Sequence, residues 1–136
     1  MADATLPLLK PDLFAIGPTG VPVLLGGRCI CGFVFFPMQA FGCERCGRNG
    51  PALQPHALAA RGRLRASATV HIHADEKRKT PFVIGTIALD DGPIVRTLLD
   101  ESNDAIASGA RVEGVLARIH TDSTEALDLR FRAVAA

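Results

Sequence analysis

The clearest pattern in the sequence is an alternation of apolar and polar residues between positions 64 and 74. The even positions are apolar: Leu64, Ala66, Ala68, Val70, Ile72 and Ala74. The odd positions are polar: Arg65, Ser67, Thr69, His71 and His73. Successive side chains of a β-strand point to opposite faces, so this alternation predicts a long strand with one buried face and one exposed face.

Four further strands are predicted after this one. Residues 81–89 are almost continuously apolar, as in a strand covered on both faces, and the turn at 90–92 leads into a strand over 93–99. Residues 112–119 and 126–134 form the last two strands. A charged loop is expected over 74–80, and only 100–110 has helical leanings, ending at Gly109. Five short strands predict a small Greek-key barrel of the OB-fold type.

The first half of the chain has shorter apolar runs. The sequences LFAI and VPVLL, on either side of a turn at 17–20, predict a hairpin, and Pro51 and Pro55 mark a short linker. We therefore divide the chain into an N-terminal arm and hairpin (1–26), a cysteine-bearing ribbon (27–54) and an OB-fold (55–136). The predicted fold class is mainly β.

All four cysteines lie in two close pairs within the ribbon. One residue separates Cys29 from Cys31, and two residues separate Cys43 from Cys46. Two thiolates from each end of a hairpin are how a closed tetrahedral site is built, so we predict one structural zinc ion in a rubredoxin-like ribbon. An iron site with the same ligands and a pair of disulfides are the alternatives.

The ribbon carries several phenylalanines and the N-terminal arm several leucines. These are more apolar side chains than two such small segments can bury by themselves. Large exposed apolar patches mark interaction sites, so we expect these groups to meet a partner. Base stacking by the phenylalanines and a disordered N-terminal tail are the alternatives. The residues of the predicted partner interface are Phe33, Phe35, Phe36, Leu8, Leu9 and Leu13.

Charge and aromatic content argue against a nucleic-acid-binding module, which is the alternative function for an OB-fold with a zinc ribbon. The formal net charge is +1, and the chain has no Trp or Tyr. Such modules use a basic surface and stacking aromatics.

No stretch approaches the roughly 20 apolar residues that cross a bilayer, and the N-terminus lacks the basic start of a signal peptide. We therefore expect no membrane segment and a cytoplasmic protein.

Several segments, in their order and spacing, resemble the DUF35 family of zinc-ribbon plus OB-fold proteins. The matching segments are LLGGRC at 24–29, FFP at 35–37, CERCG at 43–47, the stretch 62–71, PFVIGTIALDDG at 81–92 and SGARVEG at 108–114. The resemblance implies a small accessory subunit that stabilises a thiolase-like large subunit and helps to hold a coenzyme A (CoA) ester. It also implies that the catalytic residues belong to that large subunit.

No catalytic residue is assigned to this chain, because the metal site takes every cysteine. We expect no activity from the chain alone. The remaining candidate is a cationic surface formed by the polar faces of the first and last barrel strands, able to contact CoA phosphates or acidic residues of a partner. A merely solvated face is the alternative. The residues concerned are Arg63, Arg65, His71, His73, Arg130 and Arg132.

Overall fold

The computed structural model describes residues 6–71, 81–100, 106–121 and 124–134. The first of its two sheets is centred on β2 (Pro22–Cys29). Strand β4 (Leu53–Ala59) pairs with one edge of β2, and β1 (Phe14–Ile16) and β3 (Val34–Phe35) pair with the other, all antiparallel. A single 3₁₀ turn, Gly50–Ala52, precedes β4.

The second sheet has five antiparallel strands in the order β7-β6-β5-β8-β9. Its strands are β5 (Arg61–Val70), β6 (Phe82–Leu89), β7 (Ile94–Leu98), β8 (Arg111–Thr121) and β9 (Thr124–Ala133). A parallel bridge between Leu99 and Phe131 brings the end of β7 against β9. The sheet therefore curls toward closure, and the predicted mainly β fold with a five-stranded OB-type sheet is confirmed.

The alternation between 64 and 74 predicted one continuous buried face, and over residues 66–69 this was wrong. A β-bulge between Leu64 and Ala66 shifts the register of β5 against β6. One extra residue reverses the face to which every later side chain points. Leu64 is buried, whereas Ala66 and Ala68 now point outward and residues 65–69 are all exposed, so this half of the strand buries neither face. Residues 72–80, which include His73 and the predicted charged loop, lie outside the described residues.

The segment predicted as a linker after Gly50 is instead a strand. Leu58 and Leu53 of β4 are buried, and β4 pairs with β2 over seven residues, with Pro55 opposite Gly27. Proline lacks a backbone N–H, so a strand tolerates it only at a sheet edge, and β4 is such an edge.

The apolar interior consists of two clusters. The larger cluster joins the first sheet to the curled sheet. Phe14, Leu24 and Leu58 of the first sheet are buried there together with Val112 and Phe131 of the curled sheet. The smaller lies in the ribbon and is described with the cysteines below. Within the described ranges there is no α-helix, and no helix long and apolar enough to span a membrane. Residues 101–105 of the segment that had helical leanings lie outside the described residues, and residues 106–110 form a turn and no helix.

Candidate metal centre

The four cysteines are carried by two similar tight turns. Strand β2 ends at Cys29, and the N–H of Gly32 donates to the Cys29 carbonyl at 2.8 Å. In the second turn the N–H of Gly47 donates to the Cys43 carbonyl at 2.9 Å. Gly32 and Gly47 have φ angles of +98° and +81°, a backbone region that favours glycine. Each glycine therefore allows the chain to curl back so that a pair of thiols faces inward.

The turns bring the four sulfur atoms together. All four Sγ atoms lie within 4.8 Å of one another, with Cys29 to Cys46 at 3.5 Å and Cys31 to Cys43 at 3.7 Å. A tetrahedral zinc site with Zn–S distances of about 2.3 Å requires sulfur–sulfur separations of about 3.8 Å. The four cysteines are free thiols, so the pairs are not disulfides. The residues present therefore fit a tetrahedral metal ion held by four thiolates.

The second turn stabilises thiolate charge. The backbone N–H and the guanidinium of Arg48 both hydrogen-bond to Cys46 and lower the pKa of its thiol to about 6. Burial acts to raise the pKa of Cys43, but backbone N–H groups of Cys46 and Arg45 outweigh it and lower that pKa. The N–H of Arg45 lies 3.4 Å from the Cys43 sulfur. This half of the site is therefore prepared for the ionised form that binds metal.

The first turn differs. The N–H of Cys31 acts to lower the pKa of Cys29, but burial and hydrogen bonds with the other three thiols outweigh it and raise that pKa to about 11. Four converging thiols cannot all ionise at neutral pH, even with the Arg48 guanidinium beside Cys46, because each thiolate repels the next. A divalent cation at their centre removes this conflict and deprotonates the ligands.

An apolar shell backs the cysteines. Phe35 and Leu53 are buried with Cys29 and Cys43, and Phe33 and Met38 pack around them. The rings of Phe33 and Phe35 are stacked with centroids 6.3 Å apart. Apolar packing on one side restricts access of water to the sulfurs. The ribbon therefore joins its small core directly to the metal centre.

Comparison with known proteins identifies the second part of the chain. The family model described as the C-terminal OB-fold domain of ChsH2 matches residues 55–134, which is more than half of the chain. The chain belongs to the DUF35 family. A solved structure described as the Ltp2-ChsH2(DUF35) aldolase is similar over 79% of this chain and 84% of that chain, with a TM-score of 0.59 and 21% identity. At that identity the likeness concerns the fold.

In this DUF35 chain the predicted interface phenylalanines take different positions. Phe35 is only 6% exposed and belongs to the ribbon core. Phe33 is half-buried in the same shell, and Phe36 is half-buried against the larger cluster. The three therefore do not form one exposed patch, and an interface role for them stays a prediction.

The predicted arm leucines lie along the curled sheet. Leu8 forms a parallel bridge with Leu127, and the N–H of Leu9 donates to the Leu127 carbonyl at 2.8 Å. Leu8 and Leu13 are half-buried against the larger cluster, and Leu9 is 37% exposed. Residues 7–9 are thus tied to β9, and a contact of these leucines with a partner stays a prediction.

Several of the predicted cationic residues already have partners within the chain. The Nη1 of Arg63 donates to the Gly109 carbonyl at 3.0 Å. The Nη2 of Arg132 lies 3.4 Å from the Glu113 carboxylate. Arg65 and His71 are exposed, and His73 lies outside the described residues. Arg63 and Arg132 share the outer face of the sheet. Arg63 lies opposite Arg111 of β8, and Arg132 lies opposite Glu113 of β8. Residues 111 and 113 are two apart on one strand and so point to the same face.

Sequence reasoning missed a buried ion pair on the last strand. Asp128 is 3% exposed, and its carboxylate accepts a hydrogen bond from Arg130 Nε at 3.2 Å. Asp128 also lines a cleft of about 90 Å³ between the N-terminal hairpin and the curled sheet, together with Lys10 and Arg96. In sequence Asp128 occupies the polar phase of an alternating strand, where a solvent-facing carboxylate is the ordinary expectation. No sequence signal marks it as buried.

Proposed function

We propose that this chain is the non-catalytic accessory subunit of a thiolase-like enzyme complex that makes or breaks carbon–carbon bonds of acyl-CoA esters. The observation that carries the proposal is the family match over residues 55–134 to the OB-fold domain of ChsH2. The structure with the similar fold is described as an aldolase that pairs Ltp2 with a ChsH2 DUF35 protein. A supporting role beside a larger enzyme is the function that this relationship favours.

The chemistry of the chain supports a non-catalytic role. Its four cysteines converge on one site, so no cysteine remains as a free nucleophile. A metal held by four thiolates has no open coordination position for water or substrate. We propose zinc as that ion, acting to hold the ribbon together. The acyl transfer chemistry would then belong to the thiolase-like partner.

A contact with the CoA ester or with the partner is proposed for the outer face of the curled sheet. Arg63 and Arg65 lie on β5, and Arg132 lies on β9. The side chains of Arg65 and Arg132 are exposed and carry permanent positive charge. Phosphate and carboxylate groups are the ligands that such residues bind most tightly. His71 is exposed directly after β5, and we include it and His73 in the proposed contact from their place in the sequence.

The test is to purify the affinity-tagged chain from its source cell and identify co-purifying proteins by mass. We expect one thiolase-like subunit in a fixed ratio. The complex, the separated large subunit and the isolated chain are then assayed with acyl-CoA esters for cleavage and condensation. We expect turnover from the complex and none from the isolated chain. Turnover by the isolated chain, or a fixed-ratio partner unrelated to thiolases, overturns the proposal.

A further inference from the structure

The cleft lined by Asp128 lies in the seam where the curled sheet does not close. Strands β7 and β9 are the two edges of that sheet. One end of the seam is joined by the N–H of Asp100, which donates to the Phe131 carbonyl at 2.8 Å. At the other end, residues 7–9 pair with Leu127. Among the described residues, no bridge joins β7 to β9 between these two points.

The backbone of Leu129 faces this open seam. Leu127 donates its N–H to the Pro7 carbonyl at 2.9 Å and accepts a hydrogen bond from the Leu9 N–H at 2.8 Å. Alternate residues of a strand direct their backbone groups to the same edge, so those of Leu129 also point into the seam. Leu129 is 6% exposed, and no described residue forms a β-bridge with it across the seam. A buried peptide N–H in this position favours a ligand that accepts a hydrogen bond.

The charged residues that line the cleft have an excess of positive charge. Lys10 and Arg96 are exposed, and neither has an ion-pair partner in the described part of the chain. Asp128 is the one carboxylate among the described residues that line the cleft, and Arg130 pairs with it at 3.2 Å. Long basic side chains keep their charged ends at the solvent side of such a cleft. The mouth of the cleft therefore favours an anion.

The Leu129 backbone and one of these cations border the same part of the cleft. The bridge between Leu99 and Phe131 is parallel, so Thr97 lies two residues before it on one strand and Leu129 two residues before it on the other. Arg96 directly precedes Thr97, and both line the cleft. A carboxylate bound here is placed to accept hydrogen bonds from a backbone N–H and from a guanidinium, which are its strongest donors in proteins.

The interior of the cleft is apolar, and its size limits what it holds. Its volume is about 90 Å³. An apolar cavity of about 150 Å³ holds the six carbon atoms of benzene, so this volume accommodates a chain of about three or four carbon atoms. The apolar side chains of its walls are Leu13, Phe14, Leu24, Phe36, Val95 and Phe131.

We propose that the seam binds a short-chain carboxylate, the anion of an acid with about four or five carbon atoms. The carboxylate accepts a hydrogen bond from the Leu129 N–H and pairs with Arg96 and Lys10, while the alkyl chain lies against the apolar walls. The inference does not rest on the proposed function, because it uses only residues of this chain.

The test titrates the isotopically labelled, zinc-loaded full chain with sodium butanoate at constant ionic strength and follows the backbone amides by NMR. We expect one molecule to bind per chain with a Kd of about 1 mM or lower, and the largest shifts at Thr97 and Leu129. Acetate lacks two methylenes and should bind about tenfold more weakly. Butanamide lacks the charge and should also bind about tenfold more weakly.

No saturable binding of butanoate overturns the inference. Equal affinity for acetate and butanoate also overturns it, because charge alone would then explain the binding. Shifts confined to residues outside the cleft overturn the assignment of the site. The proposed function survives each of these results, since it rests on the family match and on the partner.

Variants locate the anion within the cleft. Arg96→Gln is expected to weaken butanoate binding by about tenfold or more, because it removes a charged donor. The matched control is Arg118→Gln, the same change at an exposed arginine of β8 that does not line the cleft. It should bind as the wild-type chain does. Thermal unfolding and zinc content show whether both variants are folded. Equal affinity of folded Arg96→Gln and wild type overturns the inference.

Discussion

The ring of Phe35 occupies the space that a side chain on Gly27 would require. A Cβ atom on Gly27 would collide with the Phe35 ring and lie 2.6 Å from the Met38 sulfur. Gly27 lies opposite Phe35 in the pairing of β2 with β3, which places this contact beside the first cysteine turn. The glycine therefore lets an aromatic ring lie directly on the central strand of the ribbon.

Gly27→Ala is expected to destabilise the ribbon by about 1–3 kcal/mol, the range for overpacking a filled core. The matched control is Gly42→Ala, since a Cβ on Gly42 meets no atom within 4 Å. Denaturant unfolding of the zinc-loaded proteins measures both changes. Equal stability of the two variants would contradict the packing of Phe35 against Gly27.

Cys43→Ser is expected to abolish stoichiometric metal binding, because it removes one of four ligands. Ile30→Ser, a change at an exposed non-ligand position between two cysteines, is expected to retain one zinc per chain. Elemental analysis by mass spectrometry measures the metal content. An iron content in place of zinc, visible as colour, would contradict the choice of ion, and full zinc occupancy in Cys43→Ser would contradict the four-thiolate site.

Removal of the metal by a chelator is expected to loosen the ribbon and spare the curled sheet. The apolar shell of the cysteines is a cluster separate from the one that joins the hairpin to the sheet. Hydrogen exchange should therefore accelerate over residues 29–50 and stay slow at Val112 and Phe131. Uniform acceleration over the whole chain would show that the two clusters unfold as one unit.

Asp90→Asn is expected to remove a stabilising contribution that depends on pH. Arg111 donates to both oxygens of Asp90, at 2.7 and 2.9 Å, and holds the pKa of that carboxyl below its ordinary value. Such a group stabilises the fold above its unfolded pKa of about 3.9, and the contribution is lost as the pH falls through the folded pKa. The pair is half exposed, so the cost at pH 7 is about 0.2–1 kcal/mol.

The measurement for Asp90→Asn is urea unfolding at pH 7 and at pH 2.5, with chelator present at both so that metal release does not contribute. Arg111→Gln removes the same pair from the other side and should give the same pattern. A difference between Asp90→Asn and wild type that is undiminished at pH 2.5 would assign the effect to something other than the ion pair.

Arg130→Gln is expected to be more destabilising than Arg132→Gln, although both residues lie on the same face of β9. Arg130 is paired with the buried Asp128, whereas the partner of Arg132 is the more exposed Glu113. Loss of the first pair leaves a buried carboxylate without its cation and costs about 1–3 kcal/mol, and loss of the second costs under about 1 kcal/mol. Thermal unfolding of both variants provides the comparison.

Some features of the molecule were predictable because they are local in sequence. The paired cysteines, each pair followed by a glycine, gave the metal cluster, and the runs of apolar residues gave the five strands of the curled sheet. Other features depend on contacts between distant residues. Pro55 led to the prediction of a linker where strand β4 lies. The proline is acceptable there because β4 is an edge strand that pairs with β2. The burial of Asp128 likewise depends on packing that no local pattern encodes.

The exposed Phe41 illustrates a different limit. The phenylalanines at 33–36 were predicted to lie at a partner interface because they cluster in sequence. In the structure Phe35 is buried, and Phe41, outside that cluster, is the highly exposed phenylalanine. Whether a ring is covered depends on how the ribbon folds over it. The glycine at 27 provides the room that buries Phe35, and the hydrogen bonds of Gln39 fix the backbone that carries the exposed Phe41.

The bulge at Arg65 divides β5 into two parts that respond differently to mutation. Before it, Leu64 faces the interior, so a polar replacement there is costly. After it, Ala66 and Ala68 face outward, and polar replacements there should be neutral. Substitutions in the part of β5 after the bulge can therefore change the chemistry of this surface without altering the interior of the sheet.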